Sequence, residues 1–117
     1  MSKSEIARQC YRAYETKDRK LLESLLADDF VFSSPRDDYI DRATYMARCW
    51  ANSGNIRNFT FEYVAEQGDE VVVRYLVELT DGTSFRNMET LRFSGDKLRS
   101  ADVYFGRTVE RDQPSCR

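Results

Sequence analysis

Two polar residues on an otherwise apolar strand face are the strongest candidates for chemistry in this sequence. The odd-numbered positions of segment 85–93 share one face of a predicted strand and are Phe85, Asn87, Glu89, Leu91 and Phe93. A carboxyl group on an apolar face is costly unless it is paired or protonated. A neutral Glu89 could donate a hydrogen bond to a ligand carbonyl, and a charged one could act as a base. The alternative is a structural ion pair with Arg48 or Arg99.

Other polar groups are expected to reach the same interior. Asn87 offers both a donor and an acceptor, so it could orient a ligand or simply satisfy Glu89. Tyr14, Tyr63 and Tyr75 are predicted to reach the same interior. A phenol there can stabilise a developing oxyanion. Tyr14 is the second candidate catalytic residue, beside Glu89. The alternative for each tyrosine is packing in the core with its hydroxyl at the rim.

Apolar side chains are predicted to form the walls of a ligand pocket, although such stripes also occur in filled cores. The candidates are Met46, Trp50, Phe61, Val103 and Phe105. Ser34 stands before Pro35 on a predicted loop at the mouth and is a further candidate ligand-binding residue. Asp37, Asp38 and Tyr39 follow on that loop. Their carboxylates could bind a metal or act as a base, or the loop could simply be solvated.

Composition excludes several classes of function. The 117 residues contain no His, which excludes Ser-His-Asp and Cys-His catalysis, and the three cysteines form no CxxC pair. The sequence has no phosphate loop, dinucleotide fingerprint or metal cluster, so no cofactor and no metal are expected. The net charge of -2 argues against nucleic acid as a partner. No apolar run reaches membrane-spanning length and no apolar signal core opens the chain, so a cytoplasmic protein is expected.

The first half of the chain predicts three helices that must hold these side chains. Ser2 opens helix 1 over about residues 3–16 at capping-box spacing, Asp18 caps a second helix, and Asp41 caps a third that ends near residues 52–54. The second helix has a leucine stripe formed by Leu21, Leu22, Leu25 and Leu26. The third carries Tyr45, Met46, Cys49 and Trp50. A short strand is expected at residues 30–32, followed by a loop over 33–38.

The second half predicts four antiparallel strands joined by Gly-Asp or Asp-Gly turns. In the first of them, Phe59, Phe61, Tyr63 and Ala65 are expected to alternate with Thr60, Glu62 and Val64. At the Asp81-Gly82 turn, a three-residue loop with a glycine bulge separates apolar from charged residues better than a two-residue loop. The outward face is then predicted to carry Thr60, Glu62, Val64, Val72, Arg74, Leu76, Glu78, Arg86, Met88, Arg92 and Tyr104. Such a face suits contact with a second copy of the chain.

Helices followed by an antiparallel meander form an α+β layout. Five short stretches carry a resemblance to a known family. They are residues 11–14 (Tyr-Arg-Ala-Tyr), 25–30 (Leu-Leu-Ala-Asp-Asp-Phe), 50–53 (Trp-Ala-Asn-Ser), 91–93 (Leu-Arg-Phe) and 102–106 (Asp-Val-Tyr-Phe-Gly). With these stretches, residues 5–107 resemble the SnoaL-like and ketosteroid-isomerase-like proteins of the nuclear transport factor 2 superfamily. The resemblance implies a cone-shaped barrel, with three N-terminal helices packed on a curved antiparallel sheet, and a homodimer. One domain over 1–107 and a polar tail over 108–117 are expected.

The resemblance also implies where catalytic groups would lie. The isomerase base falls at Ser34, which cannot accept a proton as a carboxylate does, and the helix-1 tyrosine falls at about Cys10. The second oxyanion donor falls at Glu89, and a supporting tyrosine falls at Trp50. Steroid isomerisation is therefore not expected. The hypothesis is a domain that binds a small apolar or carbonyl-bearing molecule, with isomerase, cyclase or dehydratase chemistry through Glu89. The alternatives are binding without catalysis and an interaction domain with a filled core.

Overall fold

The computed structural model describes residues 1–109. Three α-helices come first: α1 (Lys3–Thr16), α2 (Arg19–Leu25) and α3 (Arg42–Arg48), the last followed by a 3-10 segment at Trp50–Asn55. Six strands complete the fold: β1 (Leu26–Ser34), β2 (Asp37–Asp41), β3 (Ile56–Gln67), β4 (Glu70–Leu79), β5 (Ser84–Ser94) and β6 (Lys97–Thr108). No helix in residues 1–109 combines the length and apolar character that a bilayer crossing requires.

The helix starts follow the predicted caps. The side chains of Ser2, Asp18 and Asp41 each accept a hydrogen bond from the backbone N–H three residues later, at 3.1, 3.1 and 2.8 Å. Each bond satisfies a donor that has no partner within the helix. Lys17 ends α1 in the left-handed conformation, with its backbone N–H as part of the C-cap. These local interactions fix where the helices begin, and the apolar stripes then pack them on the sheet.

The strands form one open sheet in the order β2-β1-β6-β5-β4-β3. Its neighbours are antiparallel except for β1 and β6, which run parallel. The α+β architecture with three helices on a curved sheet is confirmed. The sheet does not close on itself as the word barrel implies, because β2 and β3 are its two edges.

The predicted register between β4 and β5 is confirmed. Val73 lies opposite Glu89 and Tyr75 opposite Asn87, so both polar residues face the core with the valines of β4. The connection has the expected three residues, with Leu79 and Thr83 joined by a backbone hydrogen bond of 2.9 Å. Gly82 has φ 90°, a conformation that glycine adopts without a steric penalty.

Three expectations about local structure are wrong. Leu26 does not extend α2 but begins β1, which runs through Asp28 and Asp29 to Ser34. The segment expected to be a loop instead folds as a hairpin, because β2 pairs with the end of β1. At the other end of the chain, Thr108 is the last residue of β6 rather than the start of a tail. The rest of the expected tail, including Cys116, lies outside the described residues.

A bulge in β3 overturns the predicted alternation along that strand. Phe61 lies opposite Tyr75, but Tyr63 lies opposite Arg74, so Glu62 is an extra residue on the β3 side. Beyond the bulge, Val64 faces the core and Tyr63 faces outward, the reverse of the strict alternation. The outer side of the bulge is held by Arg86, whose guanidinium donates two hydrogen bonds to the Glu62 carboxylate at 2.8 and 3.0 Å.

Candidate functional site

A cavity of about 290 Å³ lies between the helices and the inner face of the sheet. Its walls are mostly apolar and aromatic, with a few polar groups, which is the usual composition of a small-molecule site. Most of the interior and wall residues proposed from the sequence line it: Tyr14, Ser34, Tyr75, Asn87, Glu89, Val103 and Phe105. The cavity therefore collects most of the predicted site residues in one place.

The Glu89 carboxyl group is the central polar feature of the cavity. Glu89 lies on β5 between Val73 of β4 and Val103 of β6, and it is only 8% exposed. The Tyr75 hydroxyl donates a hydrogen bond to its Oε2 at 2.5 Å. No Arg or Lys side chain within residues 1–109 forms an ion pair with it. The structural alternative, a salt bridge to Arg48 or Arg99, is therefore wrong.

Burial and hydrogen bonding act on the Glu89 carboxyl in opposite directions. Removal from water raises its pKa above the ordinary 4.5, and two nearby hydroxyl groups, that of Tyr75, which donates to it, and that of Tyr11, lower it. Burial is the larger effect, so the pKa is raised overall. A carboxyl group with a raised pKa can be protonated at a pH where surface carboxylates are charged. Such a group can exchange a proton with a ligand under mild conditions.

Asn87 holds the hydroxyl of Tyr75 from the other side. Its Nδ2 donates to that hydroxyl at 3.4 Å, and its Oδ1 accepts from the backbone N–H of Gly106 at 3.3 Å. Hydrogen bonds therefore run from Gly106 through Asn87 and Tyr75 to Glu89. This arrangement fixes which way the Asn87 amide points and directs the phenol proton toward the carboxyl group. Both roles that the sequence left open for Asn87, supporting the carboxyl group and facing a ligand, are compatible with its position.

Tyr11 is a site residue that the sequence analysis missed. Its hydroxyl is buried and has no hydrogen-bond partner within residues 1–109. It nevertheless lies near enough to Glu89 for each group to affect the pKa of the other. The resemblance placed the helix-1 phenol one position earlier, at Cys10, and so treated it as lost. The available signal was the spacing of Tyr11 four residues after the buried Ala7, which puts both on the core side of α1.

Tyr14 lines the cavity but makes its hydrogen bond to a different partner. Its hydroxyl lies 2.5 Å from the hydroxyl of Tyr45 on α3, and burial raises the pKa of both phenols well above the ordinary value. The two phenols therefore stay protonated at neutral pH. Its ring also contacts the Trp50 indole, with centroids 5.0 Å apart. Tyr14 thus links α1 to α3, whereas Tyr11 is the α1 phenol that lowers the pKa of Glu89.

Four of the interior and wall residues proposed from the sequence do not line the cavity, and one of them, Phe61, packs against Tyr11 with ring centroids 5.1 Å apart. Tyr63 is 51% exposed on the outer face, because the β3 bulge turns it away, so its expected interior position is wrong. Met46 is buried in the core. Trp50 packs against the ring of Tyr14, which does line the cavity.

The mouth of the cavity carries charged side chains from the β1–β2 hairpin. Ser34 Oγ donates to Asp37 Oδ2 at 3.0 Å, and Arg48 of α3 contacts Asp37 Oδ1 at 3.1 Å. Asp37 is therefore shielded, with 17% of its side chain exposed. The guanidinium of Arg36 lies over the ring of Phe105, 5.9 Å from its centroid. Arg36 and Asp37 both line the cavity.

Cysteine chemistry is not favoured at this site. Burial raises the pKa of the Cys10 thiol to about 12 and that of the Cys49 thiol to about 11. At neutral pH both are protonated, and the thiolate is the nucleophilic form. In residues 1–109 there is also no cluster of three Cys, Asp or Glu side chains arranged to hold a metal ion.

Three helices on a curved sheet, with a cavity between them, place this chain in the NTF2-like class of α+β folds. A Burkholderia xenovorans NTF2-like protein of unknown function is 18% identical, covers 97% of this chain and 88% of its own, and superposes with a TM-score of 0.78. A Kribbella flavida protein with a provisional assignment as a ketosteroid isomerase is 17% identical over 96% and 83%, with a TM-score of 0.79. An LEH-like epoxide hydrolase of M. tuberculosis is 16% identical over 88% and 81%, with a TM-score of 0.74.

The family itself is shown by sequence. The model of the SnoaL-like domain matches residues 7–101, and this chain belongs to that family. No curated protein sequence is significantly similar to it. The resemblance stated from the sequence is thereby confirmed, and at these identities the solved structures establish the fold alone.

Proposed function

We propose that this chain is a cofactor-independent enzyme of the isomerase, cyclase or dehydratase kind, acting on a small, largely apolar carbonyl compound. The observation that carries the proposal is a buried carboxyl group, Glu89, that faces a cavity without a cationic partner in residues 1–109. A purely structural carboxylate in such a place would be expected to have a paired charge. An isolated one with a raised pKa is typical of acid–base catalysis.

The polar groups around Glu89 suit an oxygen atom that gains negative charge. In its neutral form Glu89 donates one hydrogen bond. The Tyr11 hydroxyl, which has no hydrogen-bond partner within residues 1–109, supplies a second donor to the same region. Two such donors in a water-poor site stabilise an enolate-like oxygen. Tyr75 and Asn87 orient the carboxyl group and need not contact the substrate.

A second carboxylate is needed wherever a proton leaves carbon. Within residues 1–109, Asp37 is the other carboxylate lining the cavity, and Ser34 and Arg48 each hold one of its two oxygens in place. In this proposal Glu89 and Tyr11 polarise the carbonyl oxygen, and Asp37 takes the proton from the adjacent carbon. The step conserves protons, because Asp37 returns the proton to another carbon atom or to a leaving hydroxyl group.

Binding and turnover by the full chain test the proposal. Thermal unfolding and product formation are measured with a panel of apolar ketones, enones and phenols, for wild type and for Glu89→Gln. A ligand at 100 times its dissociation constant adds about 2.7 kcal/mol to the free energy of unfolding. We expect turnover of at least one compound by wild type and its loss in Glu89→Gln.

The matched control is Glu5→Gln, the same chemical change at an exposed residue of α1, which should behave as wild type. Equal turnover by Glu89→Gln and wild type would contradict the assignment of Glu89. Stabilisation by ligands without turnover would instead support the alternative of binding without catalysis. The absence of any ligand effect across the panel would favour the interaction domain.

A further inference from the structure

Two charged side chains of the β1–β2 hairpin, Arg36 and Asp37, line the mouth of the cavity in the described part of the chain. The carboxylate of Asp37 is neutralised by Arg48 at 3.1 Å and also accepts a hydrogen bond from Ser34. Arg36 lines the same opening, and no carboxylate within residues 1–109 lies within salt-bridge distance of it. Its guanidinium instead lies over Phe105, a cavity wall that is itself 49% exposed.

The strand register places this charge relative to the acid. Phe105 lies opposite Asn87, and Val103 lies opposite Glu89. The ring beneath Arg36 is therefore two residues further along the sheet than Glu89, about 7 Å nearer to the mouth. Hydrogen-bond donors lie at the inner level, and a guanidinium with no carboxylate partner in residues 1–109 lies at the outer level. The cavity therefore has two polar ends with an apolar wall between them.

We infer that the substrate is an amphiphilic oxo-acid, whose anionic group is held by Arg36 at the mouth while its carbonyl oxygen reaches Glu89. This inference rests on the proposed function and names its substrate class. An arginine fork matches a carboxylate with two parallel hydrogen bonds. The cavity volume of about 290 Å³ equals the space of about ten water molecules, which suits a short chain or one ring between the two groups.

The spacing can be tested with aryl keto acids and their neutral esters. The probes are 3-benzoylpropionate, 4-benzoylbutyrate and 5-benzoylvalerate, each beside its methyl ester, with affinities measured by calorimetry. Wild type should bind at least one acid about tenfold more tightly than its ester, since a hydrogen bond to a charged group contributes about 1.5 kcal/mol or more. In Arg36→Gln that preference should fall to about one, while affinity for the ester is unchanged.

Arg99→Gln is the matched control, because Arg99 is an exposed cation of β6 that does not line the cavity. It should keep the preference of wild type. Equal binding of acid and ester by wild type, or an unchanged preference in Arg36→Gln, would overturn the role of Arg36 while leaving the proposed function intact. Failure of every acid and every ester to bind would overturn both.

Discussion

Glu89 carries a consequence for stability that does not depend on knowing the substrate. Because burial raises its pKa in the folded state, the folded chain holds one more proton than the unfolded chain between about pH 4.5 and the raised value. The stability contributed by this group is fully present below the unfolded-state pKa. It is lost as the pH rises through the folded-state pKa.

Glu89→Gln removes this titration, since the amide does not ionise. We expect the free energy of unfolding of wild type to decline relative to that of Glu89→Gln as the pH rises from about 4.5. Urea unfolding at closely spaced pH values measures the difference. Glu5→Gln should follow wild type, and a constant difference between wild type and Glu89→Gln at every pH would show that folding does not shift the pKa of Glu89.

For individual side chains, the sequence was informative where the register of one strand pair decided which face of the sheet a residue occupies. The inward position of Glu89 and Asn87 followed from the loop length at Asp81-Gly82, because a shift of one residue would have exposed both. The partner of Glu89 was not predictable, since phenols and arginines were equally available to reach it. Tyr11 was missed because a helix position one residue from Cys10 points in a different direction, and only packing decides which of the two faces the cavity.

Strands β5 and β6 approach each other closely where Gly106 lies beside Arg86. A Cβ atom added to Gly106 would lie 2.1 Å from the backbone oxygen of Arg86. Gly106 also donates to the Asn87 side chain, so the pairing of the two strands and the orientation of that amide share one position. The backbone of Arg86 therefore leaves no room for a side chain at position 106, and a glycine is required there.

Gly106→Ala should destabilise the protein by about 2 to 3 kcal/mol, because the strands must separate or the backbone must strain. Equilibrium unfolding in urea measures the loss. Gly54→Ala is the control, since a Cβ at Gly54 has no atom within 4 Å and should cost little. Similar stability of the two variants would mean that the approach at Gly106 relaxes easily.

Helix starts and strand identities were predictable because capping side chains and period-two patterns are local signals. The β3 bulge was not, because strict alternation gives no place for an extra residue. Its cause is tertiary: Glu62 is held on the outer face by Arg86 and Arg74, at 2.8 and 3.5 Å. The β1–β2 hairpin was missed for a similar reason, since its strands are short and its turn residues also suit a loop.

On the scale of the whole molecule, the outer face of the sheet is the main candidate for contact with a partner. It carries the exposed side chains Met88, Tyr104 and Tyr63 around Glu62 and the two arginines that pair with it. Exposed apolar groups near paired charges are suited to contact with the same face of a second copy. The homodimer implied by the family resemblance stays a prediction, and this face is where we expect the contact.

Light scattering after size-exclusion chromatography should give twice the chain mass of 13.7 kDa. Met88→Arg should shift the population to monomer, because it adds a cation at the centre of the face opposite Arg74. Ala47→Arg, which adds the same side chain to an exposed site on α3, should leave the mass unchanged. A wild-type mass of one chain would show that the outer face is solvated.

The parallel pairing of β1 with β6 sets an order of events during synthesis. Phe32 of β1 has its partner at Ala101 of β6, and all the remaining strands lie between them in the sequence. A ribosome adding 5–20 residues per second needs roughly 4 to 15 s to pass from the end of β1 to the end of β6. During that interval β1 can pair only with β2. The β2-β1 pair and the β5-β4-β3 strands therefore become one sheet only after β6 has been made.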